Sequence, residues 1–365
     1  MYTEEEKSRV QQAKKRRFMR VTCLLLLSGL MLIAFLTLHA HKSLTGRPKP
    51  VYAYKARPGN AALSIIAHRN GYFEDEGVLV RVFPSGPVCV EALLYGDADF
   101  GEMGDAAFAA LASRHPYVWV CAHAGGAGRD RIIARNDAGI GCIADLEDKK
   151  IGIQFGTSCM AAMLRFAESN GLSLKRNEEL INIKPADMVV ALRSGEIQAL
   201  CCSEPTPSKA LAEVAAHEVA TLAGCGSNFP MGIAVKREYA EDYPDVVRGV
   251  LRALLRAEEF IEERTEDAVA IQARATGEDP EIVRNAMSRH FYRVALSEES
   301  RTSLETVARF MYGEGMIERI PDIDSIVDGR YIAAVRAETC AGGPVVLPGQ
   351  GQQSEPSPEC DGGSE

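Results

Sequence analysis

The residues best suited to chemistry in this chain are glycines, hydroxyls and a few charges that recur where apolar runs end. Residues 149–155 read as a short buried strand. They run into Gly156-Thr157-Ser158 and then into Met160, Met163, Leu164 and Ala167 at helical spacing, closed by Asn170-Gly171. A switch from strand to helix period over such a turn leaves the first helical N–H groups without intrahelical acceptors, beside two hydroxyls and the positive end of a helix dipole. Taken alone, the turn is either an ordinary Ser/Thr-capped connection or a cradle for a small ligand. Comparable turns at Arg57-Pro58-Gly59-Asn60, Ser85-Gly86, Met103-Gly104-Asp105, Gly125-Gly126 and Glu204-Pro205 favour the cradle. The candidate ligand contacts are therefore Arg57, Asn60, Ser85, Gly86, Asp105, Gly125, Gly126, Gly156, Thr157, Ser158 and Glu204. Arg57 offers a fixed positive charge, whereas Asp105 and Glu204 argue against an anion and for an amine or a heterocycle.

Catalysis would need a nucleophile–base pair or a metal set. The seven histidines (39, 41, 68, 115, 123, 217 and 290) are scattered, and His68 and His290 fall within or near helical patterns as structural residues. There is no GxSxG, and Gly156 is not followed by the lysine of a phosphate-binding loop. Residues 139–144 match the GxGxx[GA] spacing, but acidic residues 145–148 follow at once, with no long helix. Cys201-Cys202 reads as two buried thiols, since a vicinal disulfide is strained. No Cys/His spacing suits zinc. The expectation is a protein that is not an enzyme, with no cofactor and no metal.

Alternating elements must position these turns. Strands are expected near residues 51–55, 78–83, 117–122, 132–135, 149–155, 180–184, 198–203 and 218–222. Between them lie helices near 63–67, 88–95, 106–112, 160–167 and 186–194, and another through Leu211. Residues 97–101 read as a turn with a very short strand. Alternation of this kind implies mostly parallel sheets, whose ligands sit at the carboxyl ends of the strands. After residues 232–235 the pattern is helical, with Val247, Val250, Leu251, Leu254 and Ile261 on one face, followed by helices near 266–275, 280–290 and 298–312. Residues 341–365, rich in Gly, Pro, Ser and Gln, read as a disordered tail.

The start of the chain is different. Seven basic residues precede an unbroken apolar run over residues 21–40, and Lys42, Arg47 and Lys49 follow it. Twenty such residues can cross a bilayer, and the charge bias keeps the N-terminus in the cytoplasm. Leu38-His39-Ala40 is a poor cleavage site, so a retained signal anchor is expected, with the globular part in the periplasm or outside the cell. The first 50 residues hold ten basic and three acidic groups, so the whole-chain charge of −9 leaves about −16 on the rest. So acidic a body excludes nucleic acid as a partner. Nine of the ten cysteines lie beyond the apolar run, an odd number, and several (89, 121, 159, 201) sit in apolar runs as small hydrophobes.

Four stretches, in order, resemble one family. Residues 71–80 (GYFEDEGVLV) are similar to "GyFxxEGLdV", residues 92–101 (ALLYGDADFG) to "aLxxGeaDfg", and residues 145–153 with 156–158 to "DLkGKkIgv…Gts". Residues 191–199 followed by Glu204-Pro205 are similar to "aLxsGeiDAxxxxeP", with Gln198 where Asp is usual; Asp148 stands where Gly is usual. These are signatures of type II substrate-binding proteins of ABC importers, in the nitrate, sulfonate, taurine and thiamine-precursor branch. The resemblance implies an α/β, two-lobed periplasmic-binding-protein type II fold, preceded here by one N-terminal transmembrane helix. It implies capture of a small polar solute, anionic or heterocyclic, by hinge closure, and delivery to an ABC permease by a monomer. Lobe 1 is expected from residues 51–128 and 235–336, lobe 2 from 129–234, and the crossovers near 128–136 and 229–235. Two alternatives remain: a solute-sensing ectodomain, and a pyrimidine-precursor synthase-like enzyme, whose full cysteine cluster is missing here.

Overall fold

The computed structural model describes residues 49–84, 86–175 and 178–341, with backbone alone at 339–341. The apolar run 21–40, Ser85 and tail residues 342–365 lie outside the described residues. Every element below belongs to one compact unit that begins at Pro50.

The strands are β1 (Val51–Tyr54), β2 (Leu79–Val82), β3 (Phe100–Gly104), β4 (Tyr117–Gly125), β5 (Asp130–Arg135), β6 (Ile151–Ile153), β7 (Leu180–Asn182), β8 (Ala199–Ser203), β9 (Ala216–Thr221), β10 (Met231–Lys236) and β11 (Phe291–Ala295). The helices that matter for the cleft and its support are α1 (Ala62–Arg69), α2 (Tyr72–Asp75), α3 (Gly86–Tyr95), α4 (Asp105–Ala112), α5 (Ser158–Ser169), α6 (Pro185–Ser194) and α7 (Thr206–Glu213). They continue as α8 (Arg237–Asp242), α9 (Pro244–Glu263), α10 (Thr265–Thr276), α11 (Pro280–Ser288), α12 (Glu298–Gly313), α13 (Ile323–Ile326) and α14 (Arg330–Ala341). One sheet runs β11-β4-β10-β3-β1-β2 and the other β7-β6-β8-β5-β9.

Burial explains the order. All nine residues of β4 are buried, as expected of a strand covered on both faces. Residues Val247, Val250, Leu251, Leu254 and Ile261 line one face of α9 at helical spacing and join α1 and β1 in a single core cluster. The second sheet has its own core, in which Met160, Met163 and Phe166 of α5 pack with Ile151, Ile153 and Leu180.

The expectation of mostly parallel sheets is corrected: both sheets are mixed. β1 pairs in parallel with β2 and β3, and β6 with β7 and β8. β10 runs antiparallel to β3 and β4, β11 to β4, and β5 to β8 and β9. The reason is local. Alternation forces parallel pairing only where a helix carries the chain back, and no α-helix separates β4 from β5 or β9 from β10.

These two joins are where the chain passes from one sheet to the other, over residues 126–129 and 222–230. Both begin upstream of the expected crossovers and overlap them at residues 128–129 and 229–230, and the whole of β10, from Met231, belongs to the first sheet, where residue 235 was expected to begin that part. Gly126 serves the first passage: its φ is +154°, and a side chain there would collide with the Arg289 carbonyl. β11 and α14 were not anticipated. The turn expected at 97–101 is present, but the very short strand expected with it is a five-residue β3 that takes in Met103 and Gly104, and α4 starts at Asp105, one residue before the expected 106. Among the described residues no helix is long and apolar enough to cross a membrane.

Candidate ligand-binding site

The carboxyl ends of β1, β3, β6 and β8 face one another across a cleft of about 230 Å³. That is small beside the roughly 300–1,000 Å³ of drug-sized sites, which suits a small solute. Of the expected contacts, Arg57, Asn60, Gly86, Gly156, Thr157 and Ser158 line it. The turn after β6 thus does face the cleft. Gly156 has φ +73° and open space around an added Cβ, so backbone conformation, not crowding, calls for glycine there.

The hydroxyls of that turn have other work. Thr157 Oγ1 donates to the Gln154 carbonyl (2.8 Å) and accepts from Met160 N (3.2 Å), which makes it the N-cap of α5. Ser158 Oγ donates to Asp105 Oδ1 in the opposite wall and accepts from Ala106 N at 3.3 Å. What the turn leaves for a ligand is the first free N–H groups of α5.

The remaining expected contacts stand back. Asp105 is fully buried, and its Oδ2 accepts from Ser303 (2.9 Å) and Ser227 (3.4 Å); burial raises its carboxyl above the usual range, opposed by the hydrogen bonds from Ser158 and Ser303. Glu204 is fully buried against Arg131, 2.6 Å away, and does not line the cleft. Gly125 and Gly126 do not line it either: Gly125 packs against the Phe291 ring and Gly126 against the Arg289 backbone. They make room for the passage between sheets.

Arg57 is the strongest link across the cleft. From the loop after β1 its Nη2 donates to the Ser203 carbonyl (2.7 Å) and Thr206 Oγ1 (3.2 Å), and its Nε to the Glu204 carbonyl (2.9 Å). It closes the carboxyl end of β8, where carbonyls are left without strand partners. Arg129 Nη1 donates to Asn60 Oδ1, and its Nε lies 3.2 Å from Asp130 Oδ2. His290 has Nδ1 at 2.7 Å from the Ala286 carbonyl and Nε2 at 2.8 Å from Asn60 Oδ1, behind the cleft wall.

Residues that sequence reading missed complete the cleft. Lys55 sits beside Arg57; burial first, then the Arg57 charge, lowers its amine to about 8. Glu102, on β3, lines the floor while only 4% exposed, and burial raises its carboxyl to about 8. His123 Nε2 lies 3.4 Å from Glu102 Oε2, an ion-pair distance, yet burial drops the imidazole to about 3. Burial thus works against charge on both groups. Phe155, Met103 and Met231 give the cleft an apolar flank. Cys201 and Cys202 are separate thiols, as expected; Cys201 Sγ lies 3.6 Å from Cys159 Sγ instead. A signal for Glu102 did exist, as a lone carboxylate inside the buried run Phe100-Gly101-Glu102-Met103.

Two mixed sheets with a cleft between their strand ends form the fold of the periplasmic binding proteins. The profile of the NMT1-like family matches residues 54–275, which include all four resembling stretches, and the chain belongs to that family. An inferred binding protein of Brucella abortus (strain 2308) is 28% identical over 231 residues, 60% of this chain and 69% of that protein. An inferred aliphatic sulfonates-binding protein of Escherichia coli (strain K12) is 26% identical over 196 residues, 53% of this chain and 61% of that protein. The solved alkanesulfonate-binding protein of Xanthomonas axonopodis pv. citri, bound to MOPS, superposes with a TM-score of 0.68 at 20% identity, covering 78% of this chain and 100% of that one. A desulfurization enzyme shares the fold at a TM-score of 0.61 and 15% identity, over 79% of this chain and 99% of that one. The fold therefore carries chemistry as well as binding, while the relatives found by sequence are binding proteins.

Proposed function

We propose that this chain is the solute-capturing component of an ABC import system and that its cleft holds a small organic anion, of which an organosulfonate is the leading case. One observation carries the reading. The two carboxylates that argued against an anion, Asp105 and Glu204, are withdrawn behind the cleft walls, while Lys55 and Arg57 remain on its surface. Asp130 is offset by Arg129, and burial works against charge on Glu102, so the local balance is positive. The free N–H groups at the start of α5 favour the same sign of charge, and the apolar flank suits an organic body. The sulfonate relatives agree with this reading.

The test is thermal unfolding of the full chain in detergent with ethanesulfonate, taurine, nitrate, a pyrimidine and an alkylamine. A ligand that binds only the folded state raises the melting temperature, by an amount that grows with concentration above Kd. The sulfonates are expected to raise it and the alkylamine to leave it unchanged. A rise with the amine alone overturns the anion reading.

The permease is the partner this role requires, with the chain acting as a monomer. Residues 21–40 would tether it to the inner membrane, with the cleft on the periplasmic side. Alkaline carbonate is expected to leave the full-length chain in the membrane fraction. A soluble periplasmic form that starts near His41 would show instead that the segment is cleaved.

A further inference from the structure

We propose that Glu102 meets the ligand as a neutral carboxylic acid, so that the cleft selects a solute whose oxyanion accepts a hydrogen bond from it; this rests on the anion reading above. The geometry leaves Glu102 in an unusual position. It is 4% exposed, it lines the cleft, and among the described residues its contact within ion-pair distance is His123 rather than any lysine or arginine.

The groups that face it come from every element packed around β3. From β1 there are Tyr52 and Tyr54, and from α1 there is Ser64, whose Oγ donates to Glu102 Oε2 and lies 2.8 Å from the Tyr52 hydroxyl. From α3 comes Cys89, and from β4 come Cys121 and His123. β10 places apolar Ile233 opposite it in register. Burial pushes both phenols and both thiols up and the imidazole down to about 3, so none of them carries a charge at neutral pH. A carboxylate buried among neutral groups costs more free energy than the protonated acid, and burial outweighs the Ser64 and Tyr52 hydrogen bonds that favour the charged form, raising Glu102 to about 8. A protonated carboxyl has one O–H to donate. A fully ionised sulfonate can accept that bond, whereas it would be repelled by an ionised Glu102.

The opposite assignment is an ionised Glu102 that waits for a cationic group on the ligand, and the two differ at glutamine. Burial also lowers Lys55 to about 8, so ethanesulfonate binding is measured by calorimetry in a Lys55→Arg background to hold that charge constant. From pH 7 to 9 the affinity is expected to fall roughly tenfold as Glu102 ionises. Glu102→Ala should weaken binding at pH 7 by roughly tenfold or more. Glu102→Gln, which keeps a donor and cannot ionise, should recover most of that loss and give a flat pH profile. Weaker binding by Glu102→Gln than by Glu102→Ala, or a pH slope that persists in Glu102→Gln, overturns the proposal.

Should ethanesulfonate fail to bind the unaltered chain, the sulfonate case falls, and the ligand-free protein still decides the state of Glu102. Because its folded value lies above the ordinary carboxyl range, the stability it contributes is present at acid pH. That stability is lost as pH rises through the carboxyl range and on to about 8. The melting temperature of the natural chain should therefore fall by several degrees relative to Glu102→Gln between about pH 5 and 8. Parallel curves for the two proteins overturn the proposal.

Discussion

Replacing Arg57 by alanine is expected to weaken binding of an organosulfonate by about a hundredfold, with a much smaller effect on the ligand-free fold. The guanidinium supplies part of the cleft's positive charge and donates to Ser203, Glu204 and Thr206 in the opposite wall. Charged hydrogen bonds contribute about 1.5–3 kcal/mol each, and a hundredfold change in Kd corresponds to about 2.7 kcal/mol. The effect should fall on binding because the half-buried side chain lies between two walls that each have their own core. Arg57→Lys should recover only part of the loss, since a point charge cannot span both carbonyls in the way a planar fork does. Calorimetric titration of both variants is the check. An affinity within about threefold of the original would show that the link across the cleft does not support binding.

The largest effect on stability is expected at Arg131. This residue on β5 is 3% exposed, and it lies 2.6 Å from Glu204, which is 0% exposed, and 2.7 Å from Glu218. Its Nη2 also donates to Ser208 Oγ at 3.1 Å. Arg131→Met keeps the bulk but leaves the Glu204 carboxylate buried without a cation, a change that costs about 3–5 kcal/mol. In a domain of this size the melting temperature should fall by roughly 10 °C. Adding Glu204→Gln should return part of the loss, because a neutral amide needs no counter-charge. Denaturant unfolding measures both, and a loss under about 1 kcal/mol for the single variant would mean that the site relaxes and admits water. The same pair explains why Glu204 is no ligand contact: its charge is already neutralised within its own lobe.

Local order was legible in the chain because its causes are local. The 3.6-residue spacing of Val247, Val250, Leu251, Leu254 and Ile261 specifies the buried face of α9 whatever lies opposite. The strand–turn–helix at residues 151–169 follows from the change of period and from the Thr157 cap, both within a few residues. The convergence of the turns after β1, β2, β3 and β6 on one cleft also followed, since parallel strands joined by helices place their carboxyl ends on one side, whereas the turns at Gly125-Gly126 and Glu204-Pro205 stand outside it.

Tertiary structure alone decided what each polar group in that cleft has left to offer. Ser158 is committed to Asp105, 53 residues away in sequence, and Arg57 to the main chain of Ser203, 146 residues away. The antiparallel insertion of β10 between β3 and β4 could not be read from alternation, because its partners are set by where the chain crosses between sheets. Glu102 makes the point most sharply. Its type and position are plain in the sequence, but its protonation depends on Tyr52, Ser64, Cys121 and His123, which three separate elements bring around it. Periodicity records which face of an element is apolar. Whether a buried carboxyl finds a cation there depends on residues far away in the chain, and desolvation in the packed fold sets its charge.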